Sequence, residues 1–454
     1  MPMNDLLLSY YGDDLTGSTD ALEALACQGV PSVLFTARPS AEQRARFDHC
    51  RALGLAGTSR SESNDWMRRE LKRSFQWLAE QGAALTHYKT CSTFDSSPEV
   101  GSIGCAMEVA RGVFGETPIP LVVGVPQMRR YTVFGELYAA YQDQIYRIDR
   151  HPVMSRHPVT PMHEADLRRH LAAQTTLPVG LIDVPSLALP DIDERVDHAL
   201  AEHPAVLFDV LEPAHQQAVG HQLWRTRPQQ QGGTGGFVVG SSGVEYALLA
   251  EWQRLGLVEG GNDFSPPRSV ERIAVVSGSV SSTTARQIHW AVEHAGFQRI
   301  ELDARSLAIP AHRNEAMATA ILKALDALSS GRSVILHTAM GPDSHDDSLA
   351  TESSRHSLGK ALGEMLKALV DDQGLTRVCV AGGDTSSHAI AALNIHALTV
   401  KMPLPDTPGS PLCQAHSDDP RYQDLEIAFK GGQIGGDDYF ERLRRGRALA
   451  DHEH

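Results

Sequence analysis

Leu6-Leu7-Leu8-Ser9-Tyr10-Tyr11-Gly12-Asp13-Asp14-Leu15-Thr16-Gly17-Ser18-Thr19-Asp20 decides the fold of this chain. Residues 6–11 form an apolar run of strand length, and the polar stretch after them leads into a helical pattern that begins near Asp20. Strand, loop and helix then recur. The spacing predicts further strands at 83–88, 120–125, 179–184 and 205–210, and a strand and turn at 237–243. The pattern restarts after Arg272, with strands expected at 273–276, 333–338, 378–381, 398–402 and 425–429. The clearest helix is 64–81: Asn64 can cap it, Trp66, Met67, Leu71, Phe75 and Leu78 recur at helical spacing as core, and Gly82 ends it. Such alternation is the mark of parallel sheets covered by helices on both faces, so the fold class is α/β.

The 454 residues are about three domain lengths. Within 259–269, EGGNDFSPPRS, two Gly and two Pro suit an exposed connection, which predicts domains at 1–258 and 270–454. The linker-like stretch 225–236 precedes a strand that needs a sheet, so it reads as a loop of the first domain. Apolar residues make up 42% and charged residues 21%, a globular composition. Forty-one Lys and Arg against 56 Asp and Glu leave a net charge of −15, which disfavours phosphate backbones and anionic membrane surfaces as partners. No apolar run approaches the roughly 20 residues that span a bilayer, and residues 1–13 lack a basic region and a small-residue cleavage site, so a cytoplasmic protein is expected. The six cysteines, Cys27, Cys50, Cys91, Cys105, Cys379 and Cys413, contain no CxxC pair and read as reduced thiols. Only seven lysines occur, none between Lys89 and Lys323, so a lysine inside a polar loop stands out.

In open parallel sheets ligands sit beyond the carboxyl ends of the strands. Asp13 and Asp14 stand at one such end. Turn formation and helix capping would account for them; the chemical alternative is a carboxylate that accepts a hydroxyl proton while its neighbour, or a magnesium water, orients it. The loop Tyr88-Lys89-Thr90-Cys91-Ser92-Thr93-Phe94-Asp95-Ser96 brings a lysine, hydroxyls and a carboxylate together. Lys89 offers a point charge for a carboxylate or phosphoryl group, while Ser92, Thr93 and Asp95 suit a polyhydroxy compound. The plain alternative is an ordinary capping loop. In the second domain Ser277-Gly278-Ser279 and Gly382-Gly383-Asp384-Thr385 each follow a strand and precede a helix, where backbone N–H groups can hold phosphate oxygens. The turn Lys430-Gly431-Gly432-Gln433-Ile434-Gly435-Gly436 lets backbone approach a nucleoside closely. GxxxxGK[ST] is absent, so a nucleotide site here is of another kind.

Histidines number 21, but His151, His157, His163 and His170 lack HExxH spacing and lie in an irregular, proline-bearing segment. No metal site is assigned there. His345-Asp346-Asp347 reads as an exposed turn, and 451–454 as a frayed tail.

Taken together these loops resemble the four-carbon acid sugar kinase family. The resemblance covers essentially the whole length and rests on Gly12-Asp13-Asp14-Leu15-Thr16-Gly17, Lys89 to Ser96, His157-Pro158-Val159-Thr160-Pro161-Met162, Ser277-Gly278-Ser279, Gly382 to Ser386 and Lys430-Gly431-Gly432. It implies an amino-terminal sugar-acid-binding domain, a carboxy-terminal nucleotide-binding domain, and ATP and Mg²⁺ as cofactors. The Cys91–Ser96 string looks like the 3-oxo-tetronate kinase branch rather than the threonate kinases, and kinases of the branched acid 3-oxo-isoapionate look similar. Gly12, Asp384, Gly431 and Gln433 depart from the residues usual in the family and suggest a divergent subgroup.

The resemblance further implies transfer of the ATP γ-phosphoryl group to the terminal hydroxyl of a short 3-oxo sugar acid in a cleft between the domains. Asp14 is then the expected base and Asp13 its orienter or a metal neighbour, the order of the two being open. Lys89 holds a carboxylate or the transferring group, Ser92, Thr93 and Asp95 read hydroxyls, Arg130 adds charge and His157 joins the substrate site. Ser277, Gly278, Ser279, Gly382, Gly383, Asp384, Thr385, Gly431 and Gly432 are expected to hold ATP. The oligomeric state is open, a homodimer being admitted. The rival readings are a phosphosugar isomerase or lyase and a non-catalytic nucleotide-binding sensor.

Overall fold

The structure is a computed structural model that describes residues 6–157, 159–228, 235–341, 352–404, 407, 409–432 and 434–446, without the side chains of 352, 353 and 384. The chain forms two units, Met1–Asn262 and Asp263–His454.

In the first unit the strands are β1 (Leu8–Gly12), β2 (Ser32–Phe35), β3 (Ala52–Ala56), β4 (Leu85–Lys89), β5 (Ile119–Val122), β6 (Arg130–Val133), β7 (Glu136–Tyr141), β8 (Gln144–Arg147), β9 (Val179–Ile182), β10 (Ala205–Phe208) and β11 (Gly236–Gly240). Eight of them make one parallel sheet in the order β2-β3-β1-β4-β11-β5-β10-β9. After β1 the chain builds β2 and β3 on one side, then places β4 on the other. The carboxyl ends of β1 and β4 are thus neighbours at a topological switch point, the position where such sheets bind ligands. Register brings Gly12 opposite both Ala56 and Lys89, and Lys89 opposite Gly240. β6, β7 and β8 form a separate antiparallel ribbon.

The helix Asn64–Glu80 turns Met67, Leu71, Phe75 and Leu78 inward, all fully buried, and Phe75 packs edge-on against Tyr11 and Tyr88 of the sheet. Each such side chain contributes about 1.5–3 kcal/mol by leaving water. Two local expectations are corrected here. Ser63, not Asn64, caps this helix, accepting the Trp66 N–H, while the Asn64 amide donates to Pro98 O at 2.7 Å. Trp66 is only half-buried, because one residue before Met67 it points about 100° away from that stripe.

The second unit contains β12 (Ala274–Ser277), β13 (Gln298–Glu301), β14 (Val334–His337), β15 (Arg377–Ala381), β16 (Ile395–Met402), β17 (Leu412–Ser417) and β18 (Glu426–Lys430). Their order is β13-β14-β12-β15-β18-β17-β16; the first five run parallel and β17 is antiparallel to both neighbours. The sheet is therefore mostly parallel, as expected. Arg377, 1% exposed, ties this unit together: its guanidinium pairs with Glu426 at 2.6 Å and donates to Leu443 O, Arg444 O and Arg268 O at 2.8–3.0 Å. No helix among the described residues is long and apolar enough to cross a membrane.

Candidate active site

The helix after β1 begins at Leu15, five residues before the expected start, because Asp14 is its N-cap. Asp14 Oδ1 accepts the Gly17 N–H at 2.5 Å and Oδ2 accepts the Thr16 hydroxyl at 2.9 Å. Capping is thus a real part of what Asp14 does. It does not exhaust the carboxylate, whose Oδ2 also accepts from Arg60 Nη1 at 2.8 Å. The same guanidinium grips Asp13 bidentately, Nη2 to Oδ1 at 2.8 Å and Nε to Oδ2 at 3.2 Å. One arginine therefore fixes both members of the acidic pair in a fork geometry that a lysine could not reproduce. The two carboxylates differ in environment: the Asp13 side chain is 5% exposed and that of Asp14 20%. Burial pushes the Asp13 carboxyl up to about 6 despite Arg60.

Lys89 closes this pocket. Its buried ammonium donates to Thr90 O at 2.9 Å and pairs with Asp20 at 3.2 Å. Burial works against the ammonium, but Asp20, Glu245 and Asp13 outweigh it and hold its pKa above the ordinary lysine value. A Cβ built on Gly17 would lie 2.7 Å from Asp14 Oδ1, 3.4 Å from Lys89 Nζ and 3.6 Å from Asp13 Oδ1. The fold thus gathers Asp13, Asp14 and Lys89 about one small space, which exists because residue 17 has no side chain.

The loop after β4 supplies the next layer. Phe94, fully buried, adopts a left-handed backbone at φ 55°, which costs a bulky residue free energy. The turn is held by Phe94 N–H to Cys91 O at 3.0 Å and directs the flanking Thr93 and Asp95 together, with the Thr93 hydroxyl 2.5 Å from Asp95 Oδ1. Ser92 is buried in the same loop. Burial disfavours the Asp95 carboxylate, yet Arg60, Thr93 and His157 outweigh it and hold its pKa below the usual value. His157 reaches this group through Thr160: its Nδ1 accepts the Thr160 N–H at 3.1 Å, and the Thr160 hydroxyl donates to Asp95 at 3.4 Å. Arg130, at the start of β6, is placed close enough to interact electrostatically with Cys91. Its Nη1 donates to Met128 O at 2.9 Å, whereas its buried Nε has no partner among the described residues. Burial lowers its pKa. His151 and His170 are engaged as hydrogen-bonding groups, His151 with Val153 and Met154 N–H and His170 with Ser96 and Gln174.

The second unit brings its three loops together. A Cβ on Gly278 would sit 2.3 Å from the Thr385 hydroxyl, one on Gly382 3.5 Å from Ser279 N, and one on Gly432 3.1 Å from the Ser279 hydroxyl. Gly382 precedes the helix Gly383–Ala392 at φ +118°, a conformation only glycine adopts without strain. Ser277, Gly278, Ser279, Gly382, Gly383, Thr385, Gly431 and Gly432 thus all belong to one loop cluster at strand ends. The Asp384 side chain, Pro158, Gln433, His345-Asp346-Asp347 and the 451–454 tail lie outside the described residues. Among the described residues no group of three or more His, Cys, Asp or Glu side chains is placed to hold a metal ion.

Sequence reasoning missed Arg60, Asp20 and Thr160 in the first unit's cluster. Arg60 follows β3, a five-residue strand that the periodicity did not register. Had Ala52–Ala56 been read as a strand, Thr58-Ser59-Arg60 would have stood at a carboxyl end beside Asp13.

A model of a sugar-binding N-terminal domain matches residues 8–248, and one of a nucleotide-binding C-terminal domain matches residues 274–440. A 3-oxo-isoapionate kinase of Paraburkholderia graminis is 45% identical over 97% of this chain and 95% of its own length. A 3-oxo-tetronate kinase of Pseudomonas fluorescens is 29% identical over 96% of each. Among solved structures, a protein of Salmonella typhimurium LT2 has a TM-score of 0.76 at 23% identity, covering 97% of this chain and 99% of that one, which speaks to the fold alone. These matches favour neither the isomerase or lyase reading nor the sensor reading. Two adjoining domain matches, and a 45% identical kinase along nearly the whole chain, establish that the protein belongs to the four-carbon acid sugar kinase family and is an ATP-dependent sugar-acid kinase.

Proposed function

We propose that the acceptor is a branched 3-oxo acid of the 3-oxo-isoapionate type, phosphorylated on its terminal hydroxyl. The observation that carries this reading is the gap between 45% identity to the 3-oxo-isoapionate kinase and 29% to the 3-oxo-tetronate kinase, each over nearly the whole chain. A buried and a partly exposed carboxylate beside Arg60 and the buried Lys89 are the chemistry such a substrate needs. The acceptor oxygen attacks the γ-phosphorus, the bond to the β–γ bridging oxygen breaks, ADP leaves, and the hydroxyl proton passes to Asp14, the more exposed of the two carboxylates. Asp13 keeps Arg60 in place, and Arg60 fixes Asp14. Lys89 offsets the charge of the transferring group. Arg130, whose Nε has no partner among the described residues, takes the substrate carboxylate, and Ser92, Thr93, Asp95 and His157 read its hydroxyl and oxo groups.

The loops Ser277–Ser279, Gly382–Thr385 and Gly431–Gly432 hold the ATP phosphates through backbone N–H groups and hydroxyls. Transfer requires the two sites to meet in the reacting complex. A nucleotide-borne Mg²⁺ keeps several waters and phosphate oxygens as ligands and needs only one or two protein carboxylates. The ion would supply charge neutralisation on the polyphosphate. The test is ATP consumption by the purified protein against four- and five-carbon sugar acids and their 3-oxo forms. Turnover fastest with 3-oxo-isoapionate is expected; turnover at least tenfold faster with 3-oxo-tetronate would reassign the substrate, and ATP-independent conversion of a phosphosugar would sink the kinase assignment of the site.

A further inference from the structure

Lys430 takes no part in the roles above, yet its side chain is fully buried where the three loops of the second unit converge. Its ammonium faces three acceptors, Gly431 O at 2.8 Å, the Thr284 hydroxyl at 3.1 Å and Gly432 O at 3.4 Å, one for each N–H. Thr284 in turn lies 3.1 Å from the Ser279 hydroxyl and donates to Gly432 O at 3.2 Å. All three partners are dipoles. Among the described residues no carboxylate pairs with Lys430. The titratable groups that face it are Cys379 on β15, a thiol that burial pushes up to about 12 and so keeps neutral, and Tyr439 on the helix Tyr439–Arg445, whose ring centre is 5.9 Å from Nζ. Among the described residues the buried ammonium thus has dipolar partners only, and an anion would supply its counter-charge.

We propose that Lys430 is a positioning residue of the nucleotide site, holding the Gly431 and Gly432 carbonyls inward, and that the bound polyphosphate supplies its counter-charge. This rests on the reading that the second unit binds ATP. The positioning follows from peptide geometry. In a trans peptide C=O and N–H point to opposite sides, so pinning Gly431 O on Nζ turns the Gly432 N–H away from Nζ. That N–H donates to nothing among the described residues, which leaves it free for a phosphate oxygen. The missing counter-charge has a measurable consequence. Burial lowers the Lys430 pKa to about 8. In the empty protein at pH 8 about half of the ammonium is therefore neutral, and an anion that favours the charged form makes nucleotide binding take up about half a proton.

The experiment is calorimetric titration of the full chain with ADP at pH 7.5, 8 and 9, each in two buffers of different ionisation enthalpy. Uptake of about half a proton at pH 8, and a Kd about eightfold weaker at pH 9 than at pH 7.5, are expected from a free-state pKa of about 8. Lys430→Met should abolish both and weaken binding at pH 7.5 tenfold or more. Lys430→Arg, charged throughout, should bind without proton uptake. Wild-type binding with no proton uptake and no pH slope overturns the proposal and leaves the ATP reading standing. The wild-type result decides this even where Lys430→Met does not fold. No nucleotide binding at any pH overturns both together.

Discussion

Gly17→Ala is the smallest change that tests the geometry of the acidic pocket. The added methyl would lie 2.7 Å from Asp14 Oδ1, about 0.7 Å inside the 3.4 Å at which ordinary contact begins, with Lys89 Nζ at 3.4 Å and Asp13 Oδ1 at 3.6 Å. Asp14 has little freedom to yield, because its carboxylate is held by the Gly17 N–H, the Thr16 hydroxyl and Arg60. Moving it loosens the cap, at a cost of about 1 kcal/mol, while replacing a helical glycine by alanine returns up to about 1 kcal/mol. Stability should therefore change little. Catalysis should not escape, since misplacing a reacting group by a fraction of an ångström to 1 Å costs up to about 100-fold. We expect kcat/KM for the acid to fall 10- to 100-fold, with melting temperature within about 3 °C of wild type and ADP affinity unchanged. Steady-state kinetics, thermal unfolding and calorimetry on the same preparation separate these effects. A variant whose kcat/KM stays within twofold of wild type would refute the claim that this space must be empty for Asp14 to work.

Two further outcomes follow from buried charges. The Asp13 carboxyl, at about 6, should impose an acid limb on kcat/KM that rises through pH 6 and flattens above about pH 7, and Asp13→Asn should lower the rate and remove that limb. The sign for stability is opposite: the folded protein holds this proton more tightly than the unfolded chain, whose aspartates titrate near about 3.9, so the contribution of Asp13 is full below about pH 4 and lost by about pH 6. Arg377→Ala leaves Glu426 and three carbonyls without their donor and should destabilise the protein by about 3–5 kcal/mol in urea unfolding; a loss below about 1 kcal/mol would contradict the role given to Arg377.

The placement of Arg60 explains why the acidic pair resisted assignment from residues alone. Asp13-Asp14 reads as a cap or as catalytic carboxylates, and in the folded chain Asp14 has both a capping bond and a charged partner. That partner lies 46 residues away and arrives only because β3 pairs with β1 in register, Gly12 opposite Ala56. Nothing within hydrogen-bonding range along the sequence announces it.

Short-range physics was legible in the sequence by itself. Apolar runs of strand length, the Met67–Leu71–Phe75–Leu78 stripe and glycine terminators are properties of neighbouring residues, so the α/β class and the strand-end position of the acidic, lysine and glycine loops could be read directly. Tertiary structure decided the rest. β3, ALGLA, has Gly54 at its centre and alanine at both ends, residue types that weaken a strand signal. The order β2-β3-β1-β4, the fork of Arg60 on two carboxylates and the buried Lys430 between glycine carbonyls all depend on contacts across long stretches of chain, or on a burial that no local pattern encodes.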